Sequence, residues 1–110
     1  MRFLREITLS FIRVHVLYHA LRERIFGLEL IQELARHGYS IGPGTLYPLL
    51  HAMEREGYLV SDREVVGGKM RKYYRATAEG AQAMQELRHQ IAELAHEVIE
   101  QTDDGHAPGK

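Results

Sequence analysis

Between Ile41 and Leu59 the chain reads IGPGTLYPLLHAMEREGYL, and no other stretch restricts the possible folds as much. It opens on Gly42-Pro43-Gly44, a turn signal, and closes at Gly57, a residue suited to the position just past a helix. Between these points Leu46, Leu49, Leu50 and Met53 recur at helical spacing and mark one apolar face. Thr45, Tyr47, Pro48, His51 and Arg55 fall on the opposite face. With Gly44 as N-cap, Pro48 becomes the fourth helical residue, inside the turn whose amides have no internal partner, and it costs little there. A short helix with a tight entry, one buried face and a hydroxyl-bearing start suits the reading of base edges by its first residues. Ser40 stands at the entry to this helix.

The preceding residues supply two more helices. From about Arg2 to Arg24, Leu4, Ile7, Phe11, Val14, Tyr18 and Leu21 alternate at spacings of three and four, and Leu17 and Phe26 widen the stripe. Half of such a stripe can cover the domain's own core while the rest faces a partner. Gly27 interrupts, and Leu28, Ile31, Leu34 and Ala35 mark a shorter helix ending near His37-Gly38. The spacing from there into the Gly-Pro-Gly is that of a helix–turn–helix.

After Gly57 the period changes. Tyr58 to Val60 and Glu64 to Val66 read as extended, Gly67-Gly68 as a hairpin turn, and Arg71 to Ala76 as the returning strand. A hairpin after a recognition helix is a wing, and Lys69, Arg71 and Lys72 sit at or beside its tip. Neighbouring Tyr73 and Tyr74 must face opposite sides of the strand, and Tyr74, which shares its face with Ala76, is the one expected to be buried. Thr77 is a good N-cap for a last helix with Glu79 in its first turn. Along that helix Met84, Leu87, Ile91, Leu94 and Val98 repeat at three, four, three and four, a seam suited to packing against a second chain. The expected organisation is one domain over residues 1–101, with the last helix over about 77–101 and a disordered tail over 102–110.

Composition narrows the chemistry. There is no Cys, which excludes disulfides, thiol redox chemistry and cysteine zinc clusters. Arg5, Glu6, Arg13 and His15 break the apolar N-terminus, so neither a signal peptide nor a membrane span is expected, and the location expected is cytoplasmic. The net charge of −1 hides an asymmetry: residues 61–75 carry five basic and two acidic side chains, whereas 76–110 carry two and seven. A basic hairpin beside the candidate recognition helix fits phosphate contact. No nucleophile elbow, phosphate loop or gathered carboxylate pair supports catalysis, and no cofactor is expected.

Gly44-Thr45-Leu46-Tyr47-Pro48-Leu49-Leu50, then Glu54 and Gly57, Arg71-Lys72-Tyr73-Tyr74, and Thr77 followed by Gly80 resemble the PadR transcriptional regulators. The resemblance covers about residues 26–82, and the single long last helix resembles the family's short subgroup. One departure is Phe26-Gly27-Leu28-Glu29-Leu30, where the family often has His-Gly-Tyr-Glu-Ile. The resemblance implies a mainly α (α+β) winged helix–turn–helix, a homodimer built by long N- and C-terminal helices, and repression of nearby genes.

The expected DNA contacts are therefore Ser40, Pro43, Gly44, Thr45, Tyr47, Pro48 and His51 on the helix, with Lys69, Arg71 and Lys72 on the wing, acting on a pseudo-palindromic double-stranded operator. The expected dimer interface comprises Leu4, Ile7, Phe11, Val14, Met84, Leu87, Ile91, Leu94 and Val98. The resemblance and the apolar surplus place a small aromatic or apolar effector near Phe11, His15 or Tyr18. Two other readings stay open. One is a winged-helix protein-interaction module without specific DNA readout. The other is a metal-responsive regulator using His15 and His19, one helical turn apart; no His-Glu-x-x-His motif and no neighbouring acid or Cys completes a ligand set, so no metal is expected.

Overall fold

The computed structural model describes residues 1–101; the tail expected to be disordered lies outside the described residues. Four α-helices and three strands follow in the order α1 (Arg2–Arg22), β1 (Ile25–Phe26), α2 (Gly27–Arg36), α3 (Pro43–Arg55), β2 (Leu59–Val66), β3 (Lys69–Ala76) and α4 (Ala78–Ala95). His96–Glu100 then continue α4 as a π-helical turn. The strands form an antiparallel sheet in the order β1-β3-β2. This is a mainly helical α+β fold with the winged helix–turn–helix arrangement of α2, α3 and the β2–β3 hairpin.

Each boundary has a local cause. At the end of α3 the Tyr58 amide donates to the Met53 carbonyl and the Gly57 amide to that of Glu54, each at 3.0 Å. This Schellman closure needs a left-handed residue, which Gly57 supplies with φ +94°. The hairpin register pairs Val66 with Lys69, leaving Gly67 and Gly68 as a two-residue turn with φ +58° and +80°. Positive φ at both positions is what a primed two-residue turn requires. Thr77 caps α4 as expected: its Oγ1 accepts from the Gly80 amide at 3.0 Å. The same hydroxyl donates to the Gly57 carbonyl at 2.6 Å, and the Thr77 amide donates to the Tyr58 carbonyl at 3.1 Å. The end of α3, the start of β2 and the start of α4 are thus joined at one residue. Gly80 packs tightly there, since a Cβ on it would come within 2.5 Å of the Tyr58 carbonyl oxygen.

The core is drawn from every layer: Ile12, Val16, Leu17 and Ala20 of α1, Leu30 and Leu34 of α2, all four apolar residues expected of α3, Ile25, Leu59 and Tyr74 of the sheet, and Met84 of α4. Burying each aliphatic side chain of this size contributes about 1.5–3 kcal/mol. Tyr74 is 1% exposed, the orientation argued from its shared face with Ala76.

Several expectations are corrected. α3 begins with Gly42 as N-cap and Pro43 as its first residue, a position that tolerates a missing amide, so Gly44 is not the cap. Pro48 is therefore the sixth helical residue and removes the bond its amide would have made to the Gly44 carbonyl. In α1 the buried residues are Ile12, Val16, Leu17 and Ala20, of which only Leu17 was named in the expected stripe, and Leu4, Phe11 and Tyr18 lie on the exposed part of that stripe. Met84, expected in the dimer seam, is 3% exposed and fills the chain's own core, because the first turns of α4 lie on α1 and the sheet. The two-residue β1 was not foreseen; it is too short to show an alternating pattern.

Candidate nucleic-acid interface and the groove behind it

α3 presents the residues expected on its outer side. Pro43, Gly44, Tyr47, Pro48 and His51 are exposed, Thr45 is half-buried, and Ser40 is exposed in the turn before them. Tyr47, His51 and Arg55 follow one another at four-residue spacing, so they form a stripe along the helix. Tyr47 is 39% exposed because its ring rests on Gly27. A Cβ at Gly27 would lie 2.4 Å from the Tyr47 hydroxyl oxygen. The glycine at the start of α2 thus makes room for the ring on α3.

The wing is fastened to α3 by Glu54. Its Oε2 accepts from Ser61 Oγ at 2.6 Å, and its Oε1 lies 3.7 Å from Lys72 Nζ. Lys72 pairs across the hairpin with Arg63, three rungs from the turn, and faces the helix instead of the tip where it was expected. Lys69 is the basic residue at the turn. On the other face of the sheet, the Arg71 guanidinium stands 4.5 Å from the centre of the Phe26 ring. Phe26 packs edge-on against Tyr73, and Arg24 covers Tyr73 at 3.9 Å while ion-pairing with Glu64 at 2.5 Å. This row of cations and rings stiffens the base of the wing and holds Arg71 half-buried. Phe26 occupies the position where the sequence departs from the family pattern, and β1 places it there by pairing with Tyr73.

Away from α3, α1 and α4 enclose an open apolar groove of about 600 Å³. Phe11, Val14, His15 and Tyr18 form one wall, and Met84, Leu87, Ile91 and Leu94 the other. The three residues expected near an effector and much of the expected dimer seam therefore line the same groove. Phe11, Ile91 and Leu94 are each about half-exposed, at 48%, 47% and 52%. Leu4 and Val98 are exposed at the outer ends of the same two helices, and Ile7 is half-buried.

One corner of the groove was not legible in the sequence. His37, the C-cap of α2, stacks on His15 with 4.6 Å between ring centres, and His19 lies 6.1 Å from His37. Burial holds His15 below its ordinary pKa, and the neighbouring His37 and His19 act in the same direction against Glu33. Burial likewise lowers His19, opposed by Glu33. A residue 18 positions beyond His19 offers no spacing signal; only the helix–helix crossing brings it in.

A helix–turn–helix followed by a two-stranded wing, with the second helix exposed along one stripe, defines a winged-helix transcriptional regulator. Comparison with known proteins bears this out. Residues 16–86 match the transcriptional regulator PadR-like family, and the chain belongs to it. It is similar to transcriptional regulator Rv3488 of Mycobacterium tuberculosis (strain ATCC 25618 / H37Rv), with 48% identity over 96 residues, 87% of this chain and 90% of that protein. A PadR family transcriptional regulator from Eggerthella lenta DSM 2243 has the same fold, with a TM-score of 0.77 and 36% identity over 92% of this chain and 89% of that one. A PadR-like transcriptional regulator from Bacillus cereus strain ATCC 14579 gives a TM-score of 0.80 at 25% identity, over 88% and 96% of the two chains. The protein is a transcriptional regulator, not an enzyme. Among the described residues, no helix is long and apolar enough to cross a membrane.

Proposed function

We propose that this PadR-like regulator acts in the cytoplasm as a homodimeric, sequence-specific DNA-binding repressor whose hold on its operator is released by a small apolar effector. The observation that carries this reading is the exposed stripe of α3 with the wing fastened beside it. Tyr47 and His51 reach base edges, Ser40 and Thr45 offer hydroxyls to phosphate, and Pro43, Gly44 and Pro48 keep the helix start slim enough to enter the major groove. Lys69 and Arg71 contact the flanking backbone, and Lys72 reinforces them from its pair with Glu54.

The exposed apolar residues of α1 and α4 form the dimer seam, and a two-fold axis there sets two reading helices about one helical turn of DNA apart, or a multiple of it. The groove beside Phe11, His15 and Tyr18 has a volume within the usual range of ligand pockets and is where the effector binds. It acts by binding one dimer geometry better than the other.

A gel-shift titration against the DNA upstream of the protein's own gene tests this, run at two salt concentrations with unrelated competitor. A retarded band that survives competitor and weakens steeply with salt is the expected result. Tyr47→Ala or Thr45→Ala weakens that band without splitting the dimer, whereas Arg71→Ala weakens binding to all sequences and flattens the salt dependence. Binding that competitor erases for the wild-type chain counts against sequence-specific repression from this site.

A further inference from the structure

Three imidazoles converge where α1 passes the C-terminal end of α2. His15 and His19 lie one turn apart on α1, and His37 comes from α2's cap. One ring nitrogen from each falls within 4.8 Å of the other two. Glu33, one turn before His37, brings Oε2 beside two of them, 3.5 Å from His37 Nε2 and 3.8 Å from His19 Nε2. Its other oxygen accepts from Arg36 Nη1 at 2.7 Å, which orients the carboxylate.

A second observation is independent of this convergence. His19 Nε2 is buried and has no hydrogen-bond partner. Leaving a buried polar atom unsatisfied costs about 1–3 kcal/mol, so the arrangement calls for something to occupy that nitrogen. A neutral imidazole nitrogen facing two others and a carboxylate is the donor set of a borderline-soft divalent ion. Hard ions such as magnesium and calcium favour oxygen ligands and do not fit it.

We propose that His15, His19 and His37 bind a divalent ion of the zinc class at the α1–α2 junction, with Glu33 closing the ligand set. Metal–imidazole bonds of about 2.0–2.1 Å put two ligand nitrogens of a tetrahedral site roughly 3.4 Å apart. The rings therefore close by up to about 1.4 Å, from 4.8 Å to that separation, a movement open to His37 because it is exposed at the helix end. The bound ion ties the groove-lining helix to the helix that leads into α3. This goes beyond the DNA-binding reading and does not depend on it.

The test uses the tag-free full chain after chelator treatment, titrated with Zn²⁺ by calorimetry and with Co²⁺ by visible absorption. The expected result is one ion per chain, with the intense d–d bands of tetrahedral cobalt. His37→Gln and His15→Gln each lower Zn²⁺ affinity by at least about tenfold, and Glu33→Gln by about tenfold or more, the scale seen for groups that orient metal ligands. His96→Gln is the control, because His96 sits in a separate pair with Glu100 at 2.9 Å and its loss leaves binding unchanged. Circular dichroism confirms that each variant is folded. Absence of stoichiometric Zn²⁺ uptake by the folded wild-type chain overturns the proposal, as does uptake that His37→Gln leaves untouched or that His96→Gln lowers equally.

Discussion

Tyr47 rests on Gly27, and that single contact links the family's turn glycine to the reading face. Gly27→Ala introduces a methyl where the Tyr47 ring lies, and the ring, being the end of a side chain, is what moves. Overpacking of this kind costs about 1–3 kcal/mol, and we expect it to appear as weaker operator binding with a modest fall in melting temperature. In a Tyr47→Ala background the stability penalty should vanish, a coupling that a double-mutant cycle measures directly. Tyr74 makes the opposite case. Its hydroxyl is buried without a protein partner, so Tyr74→Phe should leave the chain as stable or raise its unfolding free energy, read from urea denaturation, by up to about 1 kcal/mol. A clear loss of stability would mean that the hydroxyl is satisfied in solution.

At the scale of elements, Glu54 is the fastening between α3 and the wing. Glu54→Ala removes the Ser61 hydrogen bond and frees Lys72, and we expect a loss of about 1 kcal/mol in stability together with weaker DNA binding. Hydrogen exchange should report faster opening at the base of β2 and β3 while α1 and α4 stay protected. Much at this scale was legible in the residues. Gly57, Gly67-Gly68 and Thr77 punctuate the chain through local backbone chemistry, which needs no knowledge of the rest of the fold. The start of α3 was placed too late because Pro43 suits the first helical position as well as it suits a turn. The division of α1 between core and partner was left open because apolar side chains cover two neighbouring strips of that helix, and spacing cannot say which one packs inward. His37 and Glu33 escaped notice because their meeting with His15 and His19 is a product of how two helices cross.

The described molecule measures 58 × 29 × 21 Å, elongated because α1 and α4 run out beyond the sheet. The apolar residues on those arms are the ones proposed above as the dimer seam. Leu94→Glu places a charge in the middle of the proposed seam. We expect sedimentation to show monomers and the gel shift to fail even though α3 and the wing are intact. A tight dimer in that variant would refute the seam. The groove was partly foreseen, since Phe11, His15 and Tyr18 were all expected near it. That Met84 belongs to the core was not, because its position in the heptad matches that of Ile91 while its depth does not.

The joint at Thr77 has a mechanical consequence. From it, Ala78 to Glu100 extend as one nearly continuous helix, roughly 34 Å long at about 1.5 Å per residue. The end of α3, the proposed reading helix, is tied to the same joint, so α4 is a lever whose fulcrum touches α3. Turning it by about 10° sweeps its far end through roughly 6 Å, given that length. In reverse, a clasp that holds the far end to within about an ångström sets the angle at the fulcrum to within roughly 2°. Precision at the DNA can therefore be supplied by contacts made a long arm away from it.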